Sequence, residues 1–306
     1  MTISNDQRLQ RKAGIGGSDA PIIANVSPWK TRLELYFDKI TTDDIYTEPN
    51  LPMQIGTALE PVILNEFGNR YGCVVREATQ TFVNQHHGFV RGHIDGFFDE
   101  GGKQQGVESK WVANLSDDWG ETGTDHVPPY VMLQCVHYML VTGWDTWHVA
   151  ALFGGREFRY YTIHRNELLV RHLLEMEIDF WDMVQTRTPP PLTDPIDAKL
   201  LYTKDNGQSI IADPATMADW FTLNSMKNSI AEMEQQIEEV QSRIQAYMGE
   251  NSTMTDNLGN VLATWKNSKP AVRFDANALK SEMPDLYSRF LTAGNSSRRF
   301  LLKKGK

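Results

Sequence analysis

Two stretches of alternating apolar and polar residues, joined by a pair of glycines, constrain the fold of this chain more than any other feature. Val90 to Asp95 and Val107 to Val112 carry the alternation typical of strands. The Gly101-Gly102 pair between them favours a tight turn. The sequence therefore predicts a β-hairpin that brings Asp95 and Glu108 to one cleft.

The acidic residues of this hairpin indicate a metal-dependent nuclease. Carboxylate oxygens are ligands for Mg²⁺, and Lys110 lies two residues after Glu108, on the same face of the strand, where its ammonium can hold water or phosphate. By itself the pattern equally fits an ion pair on a solvated face. A second copy, Asp197-Ala198-Lys199 with Asp182 upstream, follows a proline-rich run, and prolines exclude a central strand there.

The composition is that of an ordinary globular protein of 306 residues, a length that fits about two domains. Cys73 and Cys135 lie far apart and outside any Cys/His cluster, so neither a disulfide framework nor a structural zinc site is expected. The N-terminus lacks the apolar core of a signal peptide, and no apolar run approaches about 20 residues. We therefore expect no membrane association and a reducing cytoplasm as the setting.

The net charge of −9 argues against a protein that coats nucleic acid through nonspecific phosphate contacts. A nuclease is still compatible with this charge, because bound metal neutralises catalytic carboxylates and basic residues need only line one channel. From Trp265 to the C-terminus, ten basic residues face three acidic ones, so positive charge is concentrated in the tail.

The pattern of elements predicts an α+β nuclease core over residues 1–190 and a C-terminal extension over 191–306. A heptad seam predicts a long helix at about 215–248, which would pack on its own domain or form a coiled coil or helical hairpin. The basic tail, about 259–306, should contain a strand at Val261 to Trp265, a short helix capped by Asp275 and a basic strand at Arg298 to Lys303. The seam consists of Leu223, Met226, Ile230, Met233, Ile237, Val240, Ile244 and Tyr247.

Two further segments can bring polar side chains to the hairpin. Glu60 should begin an amphipathic helix and could reach a metal there, although a first-turn acid also simply suits the helix dipole. Gln134 and Tyr138 are four residues apart and share one face of a helix predicted near 126–142. Polar side chains on a core-facing helix need partners, which an active site would supply.

The glycine-rich opening GIGGSDA has neither the dinucleotide-binding spacing nor that of a Walker loop. It suggests a tight turn before a helix, where free amides and the Ser18 hydroxyl would suit a phosphate and Arg11 would add charge. Simple capping of that helix by Ser18 or Asp19 is the alternative.

Several motifs together resemble one family. GIGGSDA with SPWKTRLELYFDK, then GTALEP, HIDGF, ESKW and QCVHYML follow the order seen in YqaJ-type viral recombinase nucleases, relatives of phage lambda exonuclease in the PD-(D/E)xK superfamily. The resemblance spans most of residues 8 to 187. It implies a restriction-endonuclease-like core, with a central mixed sheet flanked by helices, followed here by a helical and small β extension.

The resemblance also implies roles for individual residues. Glu60, Asp95 and Glu108 would be metal-site acids, the Val107 carbonyl a further ligand, and Lys110 the catalytic lysine. Gln134 and Tyr138 match the QxxxY helix of the family. Arg11 and Ser18 match the residues that grip the terminal 5′-phosphate. Ile94 stands where the signature has proline, a position that carries no ligand.

The expected function is a Mg²⁺-dependent deoxyribonuclease, with Mn²⁺ as a substitute, that degrades duplex DNA from free ends in the 5′-to-3′ direction. The resemblance further implies a ring trimer and a single-strand annealing protein as partner in recombination. A structure-selective or site-specific endonuclease would use the same acids without the phosphate clamp. A noncatalytic DNA-binding or assembly protein on the same fold would tolerate the loss of those acids.

Overall fold

The computed structural model describes residues 12–41, 49–269, 274–292 and 298–303. The chain divides into two compact units, Met1–Leu201 and Tyr202–Lys306. The assignment of a nuclease core and a C-terminal extension to the two parts of the chain stays a prediction.

The first unit alternates helices and strands. In chain order its described elements are α1 (Ala20–Ile23), α2 (Arg32–Ile40), α3 (Leu51–Tyr71), β1 (Arg76–Glu77), β2 (Phe82–Val83), β3 (Arg91–Gly92), β4 (Gly96–Glu100), β5 (Lys103–Val112), α4 (Pro129–Thr142), β6 (Thr146–Phe153), β7 (Glu157–His164), α5 (Glu167–Thr186) and α6 (Pro195–Leu201).

A five-stranded sheet with the order β1-β4-β5-β6-β7 forms the centre of this unit. β5 and β6 are parallel, and the other neighbouring strands are antiparallel. Parallel neighbours need a long crossover, and α4 lies in the connection between β5 and β6. The predicted α+β fold with a central mixed sheet and flanking helices is confirmed.

Helices α3 and α4 cover opposite faces of the sheet. Val149 of β6 packs with Met139 of α4, whereas the next residue, Ala150, packs with Phe67 of α3. Successive strand residues point to opposite faces, so this alternation places one helix on each side. Strand β5 is therefore enclosed between two helices that can both contribute side chains.

The predicted hairpin is present, but its first strand lies later in the chain than expected. Gly101 (φ 56°) and Gly102 (φ 77°) form the two-residue turn, which requires positive φ at both positions. The first strand of the hairpin is Gly96–Glu100, so the prediction that Val90 to Asp95 forms it was wrong, and within that stretch only Arg91–Gly92 is a strand. The Ile15 carbonyl accepts from the Arg91 amide at 3.0 Å, and β3 pairs with β2 instead of β5.

Helix α6 accounts for the second acid-and-lysine pattern. Asp197 and Lys199 both lie in this seven-residue helix, so no strand presents them. The Asp197 carboxylate accepts from the amides of Thr193 (2.9 Å) and Asp194 (3.1 Å), which fixes the proline-rich turn before the helix. The exclusion of this copy on the ground of its prolines is confirmed.

The second unit consists of one long helix and small elements after it. They are α7 (Pro214–Met248), β8 (Thr253–Thr255), β9 (Val261–Thr264), α8 (Ala276–Glu282) and α9 (Pro284–Arg289). Apart from half-buried Leu223, the residues of the heptad seam are exposed. Asp275 caps α8 by accepting from the Ala278 amide at 2.9 Å.

The predicted strand at Arg298 to Lys303 was wrong. This segment carries no strand, and no strand of the described ranges pairs with it. Its backbone therefore lacks the ladder partners that a strand requires.

None of the helices in the described ranges combines the length and apolar character of a membrane span.

Candidate active site

Asp95 and Glu108 lie next to the same pair of residues in the hairpin. Gly96 pairs with Val107 in the antiparallel register, so Asp95 comes just before this pair and Glu108 just after it. Glu108 is only 3% exposed. Burial, aided by the nearby Asp95 carboxylate and opposed by Lys110, raises the pKa of Glu108 to about 8. Two acids therefore share a site in which negative charge is poorly compensated.

Glu108, Lys110 and Gln134 form a closed set of hydrogen bonds. The Oε1 atom of Glu108 accepts from Lys110 Nζ at 2.6 Å and from Gln134 Nε2 at 2.7 Å. Lys110 Nζ also donates to Gln134 Oε1 at 2.9 Å. Gln134 thus uses both ends of its amide to fix the lysine relative to the carboxylate. Because Glu108 is buried, an ion pair on a solvated face does not describe this arrangement.

Tyr138 extends this set along α4. Gln134 Nε2 donates to the Tyr138 hydroxyl at 3.0 Å, which leaves the hydroxyl hydrogen of Tyr138 able to donate elsewhere. The ring stacks on Trp147 of β6, with ring centroids 5.2 Å apart. Tyr138 is therefore held by the core at its ring and joined to the active site at its hydroxyl.

Asp95 is fixed by the residue between Glu108 and Lys110. Its Oδ2 atom accepts from the Ser109 amide at 2.7 Å and from the Ser109 hydroxyl at 2.9 Å. Burial raises the pKa of Asp95, although the Ser109 hydrogen bonds and the Lys110 charge oppose this effect. Ser109 therefore links the two acidic segments of the hairpin.

Glu60 approaches the same acids from α3. The helix begins at Leu51, so Glu60 lies in its interior, and the alternative of a first-turn acid is excluded. Burial, together with the charges of Asp95 and Glu77 and against that of Lys110, raises the pKa of Glu60 to about 7. Glu60 is thus within electrostatic range of the hairpin acids.

Lys110 remains a cation in this environment. Burial by itself lowers the pKa of a lysine, but the Glu108 carboxylate more than offsets this effect, so the pKa of Lys110 is raised. A protonated ammonium cannot act as a general base. It can hold a water or a phosphate oxygen and stabilise negative charge.

The carboxylate oxygens of these acids are the type of donor that a hard divalent cation prefers. Glu108 Oε2 is buried without a hydrogen-bond partner, which leaves a carboxylate oxygen for a cation beside Asp95. A divalent cation would also relieve the repulsion that helps to raise the pKa values of Glu60 and Glu108. Among the described residues, no three His, Cys, Asp or Glu side chains form a group that could hold a metal ion. Glu108 is turned to Lys110 and Gln134 instead.

The glycine-rich opening lies against Tyr138. A Cβ atom on Gly17 would come within 2.5 Å of the Tyr138 ring and 2.7 Å of its hydroxyl, so only glycine permits this approach. Ser18 follows immediately and is exposed. The predicted phosphate residue Ser18 is therefore next to the active-site helix, whereas Arg11 lies outside the described residues.

The loop that carries Ser18 is held by a nearly buried ion pair. Lys39 Nζ donates to Asp19 Oδ2 at 2.6 Å and to the Gly14 carbonyl at 2.8 Å. Asp19 Oδ2 also accepts from the Gly16 amide at 2.9 Å. Asp19 stands at the N-cap position of α1 but makes no side-chain capping bond, so it fixes the loop rather than capping the helix.

A buried histidine anchors α4 behind the site. His137 Nδ1 lies 2.7 Å from Glu177 Oε1, and His137 Nε2 lies 2.9 Å from the Arg91 carbonyl oxygen. Both ring nitrogens face acceptors, so both must donate and the ring carries a positive charge. Burial lowers the pKa of His137, but Glu177 more than offsets this effect and the pKa is raised.

The sequence did not single out Ser109, Glu77 or Tyr130. Ser109 lies inside the acid-and-lysine motif, and Glu77 comes beside Gly96 only through the pairing of β1 with β4. Tyr130 precedes Gln134 by one helical turn. Burial raises the pKa of Tyr130, and the Lys110 charge opposes this effect, which places the phenol in electrostatic range of the lysine.

Comparisons with known proteins agree with the motifs. Residues 8–145 match the family model described as a YqaJ-like viral recombinase domain. The Bacillus subtilis (strain 168) protein named "Uncharacterized protein YqaJ" is 28% identical over 300 residues, which cover 94% of this chain and 91% of that protein.

Two solved structures are also similar to this chain. An alkaline exonuclease from Laribacter hongkongensis is 16% identical, with a TM-score of 0.47 over 60% of this chain and 94% of its own. A phage-related exonuclease from Haemophilus somnus 129PT is 14% identical, with a TM-score of 0.44 over 57% of this chain and 96% of its own. Over residues 8–145, the family match confirms the resemblance to YqaJ-type viral recombinases that the motifs predicted.

Proposed function

We propose that this protein is a metal-dependent deoxyribonuclease whose active site is built on β5. One observation carries the proposal: buried Glu108 gives one oxygen to Lys110 and Gln134, while its other oxygen accepts no hydrogen bond. Burying a carboxylate in this state is costly unless a ligand completes the site. Asp95 beside it and Glu60 in electrostatic range supply further oxygen donors.

Mg²⁺ is the cation that this all-oxygen donor set favours, with Mn²⁺ as a substitute. Asp95, Glu108 and Glu60 would hold it, with the Val107 carbonyl as a further ligand. When bound, the ion would lower the pKa of a coordinated water and neutralise charge on the scissile phosphate.

The protein side chains then have separate tasks. Lys110 holds the attacking water or a phosphate oxygen and stabilises the negative charge that develops on the phosphoryl oxygens. Gln134 keeps the Lys110 ammonium beside Glu108, and Ser109 keeps Asp95 oriented. Tyr138, whose hydroxyl hydrogen is available, can donate to a phosphate oxygen of the DNA. The roles of these residues rest on their contacts and on the resemblance together.

We further propose that the substrate is duplex DNA with a free end, degraded in the 5′-to-3′ direction. The Gly17-Ser18 turn lies against Tyr138, so a phosphate bound at Ser18 and Arg11 would be near the catalytic residues. The family description as a viral recombinase supports a role in recombination. The partner that we propose for this role is a single-strand annealing protein. We expect a homo-oligomer, in the form of a ring trimer, acting in the cytoplasm where the DNA is located.

Incubation of the protein with Mg²⁺ and two forms of one plasmid tests this function. Linearised plasmid should be degraded, and covalently closed circular plasmid should stay intact, because an exonuclease needs an end. Cleavage of the closed circles would identify an endonuclease. Absence of cleavage of either form with Mg²⁺ or Mn²⁺, while the DNA is still bound, would identify a noncatalytic DNA-binding protein.

A further inference from the structure

Trp29 stands out among the aromatic residues of the first unit because 72% of it is exposed. Tryptophan is usually largely buried, and its large apolar surface favours removal from water. Trp29 nevertheless projects from the turn between α1 and α2. A single exposed apolar residue needs no explanation, so its surroundings decide whether it has a function.

Trp29 is held in place by an aromatic partner. Its ring meets Tyr130 edge to face, with centroids 4.7 Å apart and planes inclined by 80°. Tyr130 is itself packed against the hydrophobic cluster formed by α4 and the sheet. The backbone on both sides is fixed as well, since the Trp29 amide donates to Ser27 Oγ at 3.4 Å and Thr31 caps α2 in a capping box. The exposed ring is therefore preorganised.

The aromatic pair adjoins the catalytic residues. Tyr130, Gln134 and Tyr138 follow one another at intervals of four residues, so they form one slanting stripe on α4. Gln134 contacts Glu108 and Lys110, and Tyr138 contacts the Ser18 loop through Gly17. Tyr130 lies one turn from Gln134, about 6 Å along the helix axis. This spacing is less than two base-pair rises of about 3.4 Å.

We propose that Trp29, supported by Tyr130, is a stacking platform for an unpaired DNA base next to the phosphate that Lys110 contacts. Every base offers a π-face, so the platform accepts any sequence and suits an enzyme that must degrade all sequences. Stacking would keep the end of the duplex open while the adjacent phosphodiester is cut. This inference rests on the proposed DNA nuclease function.

Binding measurements with the full chain in EDTA, which prevents cleavage, test the platform. The probe is a short duplex with a 5′-phosphate, carrying an abasic residue or 2-aminopurine at each of the three terminal positions of either strand in turn. At one position, the abasic residue should weaken binding to the native protein about tenfold, the lower range expected for one stacked base. 2-Aminopurine at that position should lose fluorescence on binding, because stacking on an aromatic ring quenches it.

Variants of Trp29 separate stacking from other contacts. Trp29→Ala and Trp29→Leu should bind the normal and abasic duplexes equally and should not quench 2-aminopurine, whereas Trp29→Phe should keep most of both effects. Val26→Ala, which removes an exposed apolar side chain from the same loop, should behave like the native protein. The platform is refuted if the abasic residue does not weaken binding to the native protein at any position. It is also refuted if Trp29→Leu still binds the normal duplex more tightly than the abasic duplex, as the native protein does.

The same protein variants and DNA duplexes distinguish this inference from the proposed function. If native protein degrades linear duplex with Mg²⁺ but Trp29→Ala binds both probes like the native protein, only the platform is refuted. If native protein neither binds nor degrades duplex DNA, the nuclease function itself is refuted, and the proposal of the platform is refuted as well.

Discussion

Gln134 Nε2 lies 2.7 Å from Glu108 Oε1, and through this contact a helix orients a buried strand carboxylate. The same amide accepts from Lys110 at 2.9 Å, so the helix residue fixes the separation of the acid and the lysine. Gln134 therefore positions two other side chains of the proposed active site.

Replacement of Gln134 by methionine, which has a similar size but no amide, should lower the rate of DNA hydrolysis about 10- to 100-fold. This is the range found when residues that orient metal ligands are removed. The rate should be measured with saturating Mg²⁺ on linear duplex. Gln104→Met, at an exposed position of the same hairpin, is the matched control and should keep native activity. Native activity of Gln134→Met would show that Glu108 and Lys110 do not need this support.

Glu108→Gln and Lys110→Met should each reduce hydrolysis by at least about 10²-fold, the loss expected when one group that stabilises transition-state charge is removed. Circular dichroism spectra should match that of the native protein. Lys103→Met removes an exposed lysine at the other end of β5 and should leave the rate unchanged. Near-native turnover of either active-site variant would refute the assignment.

The hairpin and its acids could be predicted because their signals are local. The Gly101-Gly102 turn and the alternation after it specify β5 within a few residues. The bend at Asp95 could not be predicted, because it follows from the contact of Ile15 with Phe89 and Arg91, about 75 residues away in the chain. Gln134 could be singled out as a polar residue on a helix with apolar neighbours, but its partners Glu108 and Lys110 could not be identified, because they lie 26 and 24 residues away in the chain.

The contact between His137 and Glu177 could not be predicted from the sequence for a related reason. The two residues are 40 positions apart, and each looks like an ordinary polar residue of an amphipathic helix. Only the packing of α4 on α5 brings them together. Ser109 escaped notice for a different reason: a serine inside the acid-and-lysine motif has no distinctive pattern, and its role depends on where Asp95 lies.

The stability of the metal-free protein should fall as pH rises. The pKa of Glu108 is about 8 and that of Glu60 about 7, against an ordinary value of 4.5. Between these values the folded state binds protons that the unfolded state has released, so the free energy of unfolding decreases with pH. The melting temperature in EDTA should therefore drop between about pH 5 and about pH 8.5, because this interval spans the shifted pKa values.

Mg²⁺ should reverse this trend, because the cation and the protons compete for the same carboxylates. Its stabilising effect should be larger at the alkaline end, and Glu108→Gln should reduce both the pH slope in EDTA and the effect of Mg²⁺. Glu66→Gln, which alters an exposed acid on α3, is the control. A Mg²⁺ effect that is equal at both ends of the pH range would contradict the shifted pKa values.

The His137–Glu177 couple should contribute to stability mainly as a pair. Glu177→Leu leaves a buried imidazolium without its partner and should lower the free energy of unfolding by about 3 to 5 kcal/mol, as when one member of a buried ion pair is removed. The double variant His137→Phe with Glu177→Leu removes both charges and should recover a large part of that loss. Urea unfolding measures both. Additive effects of the two single substitutions would show that the residues do not interact.

A 5′-phosphate should accelerate degradation of a DNA end. A terminal phosphate carries more negative charge than an internal diester, and charge-assisted hydrogen bonds to phosphate are the strong ones. Ser18, exposed beside the Gly17 contact with Tyr138, and Arg11 are the residues proposed to hold it. Linear duplex with a 5′-phosphate should be degraded faster than the same duplex with a 5′-hydroxyl.

Arg11→Ala or Ser18→Ala should remove most of that difference while leaving hydrolysis of the 5′-hydroxyl duplex unchanged, because the acids of the hairpin are untouched. Equal rates on both ends with native protein, together with cleavage of closed circles, would assign the site to an endonuclease and leave Ser18 as an ordinary loop residue.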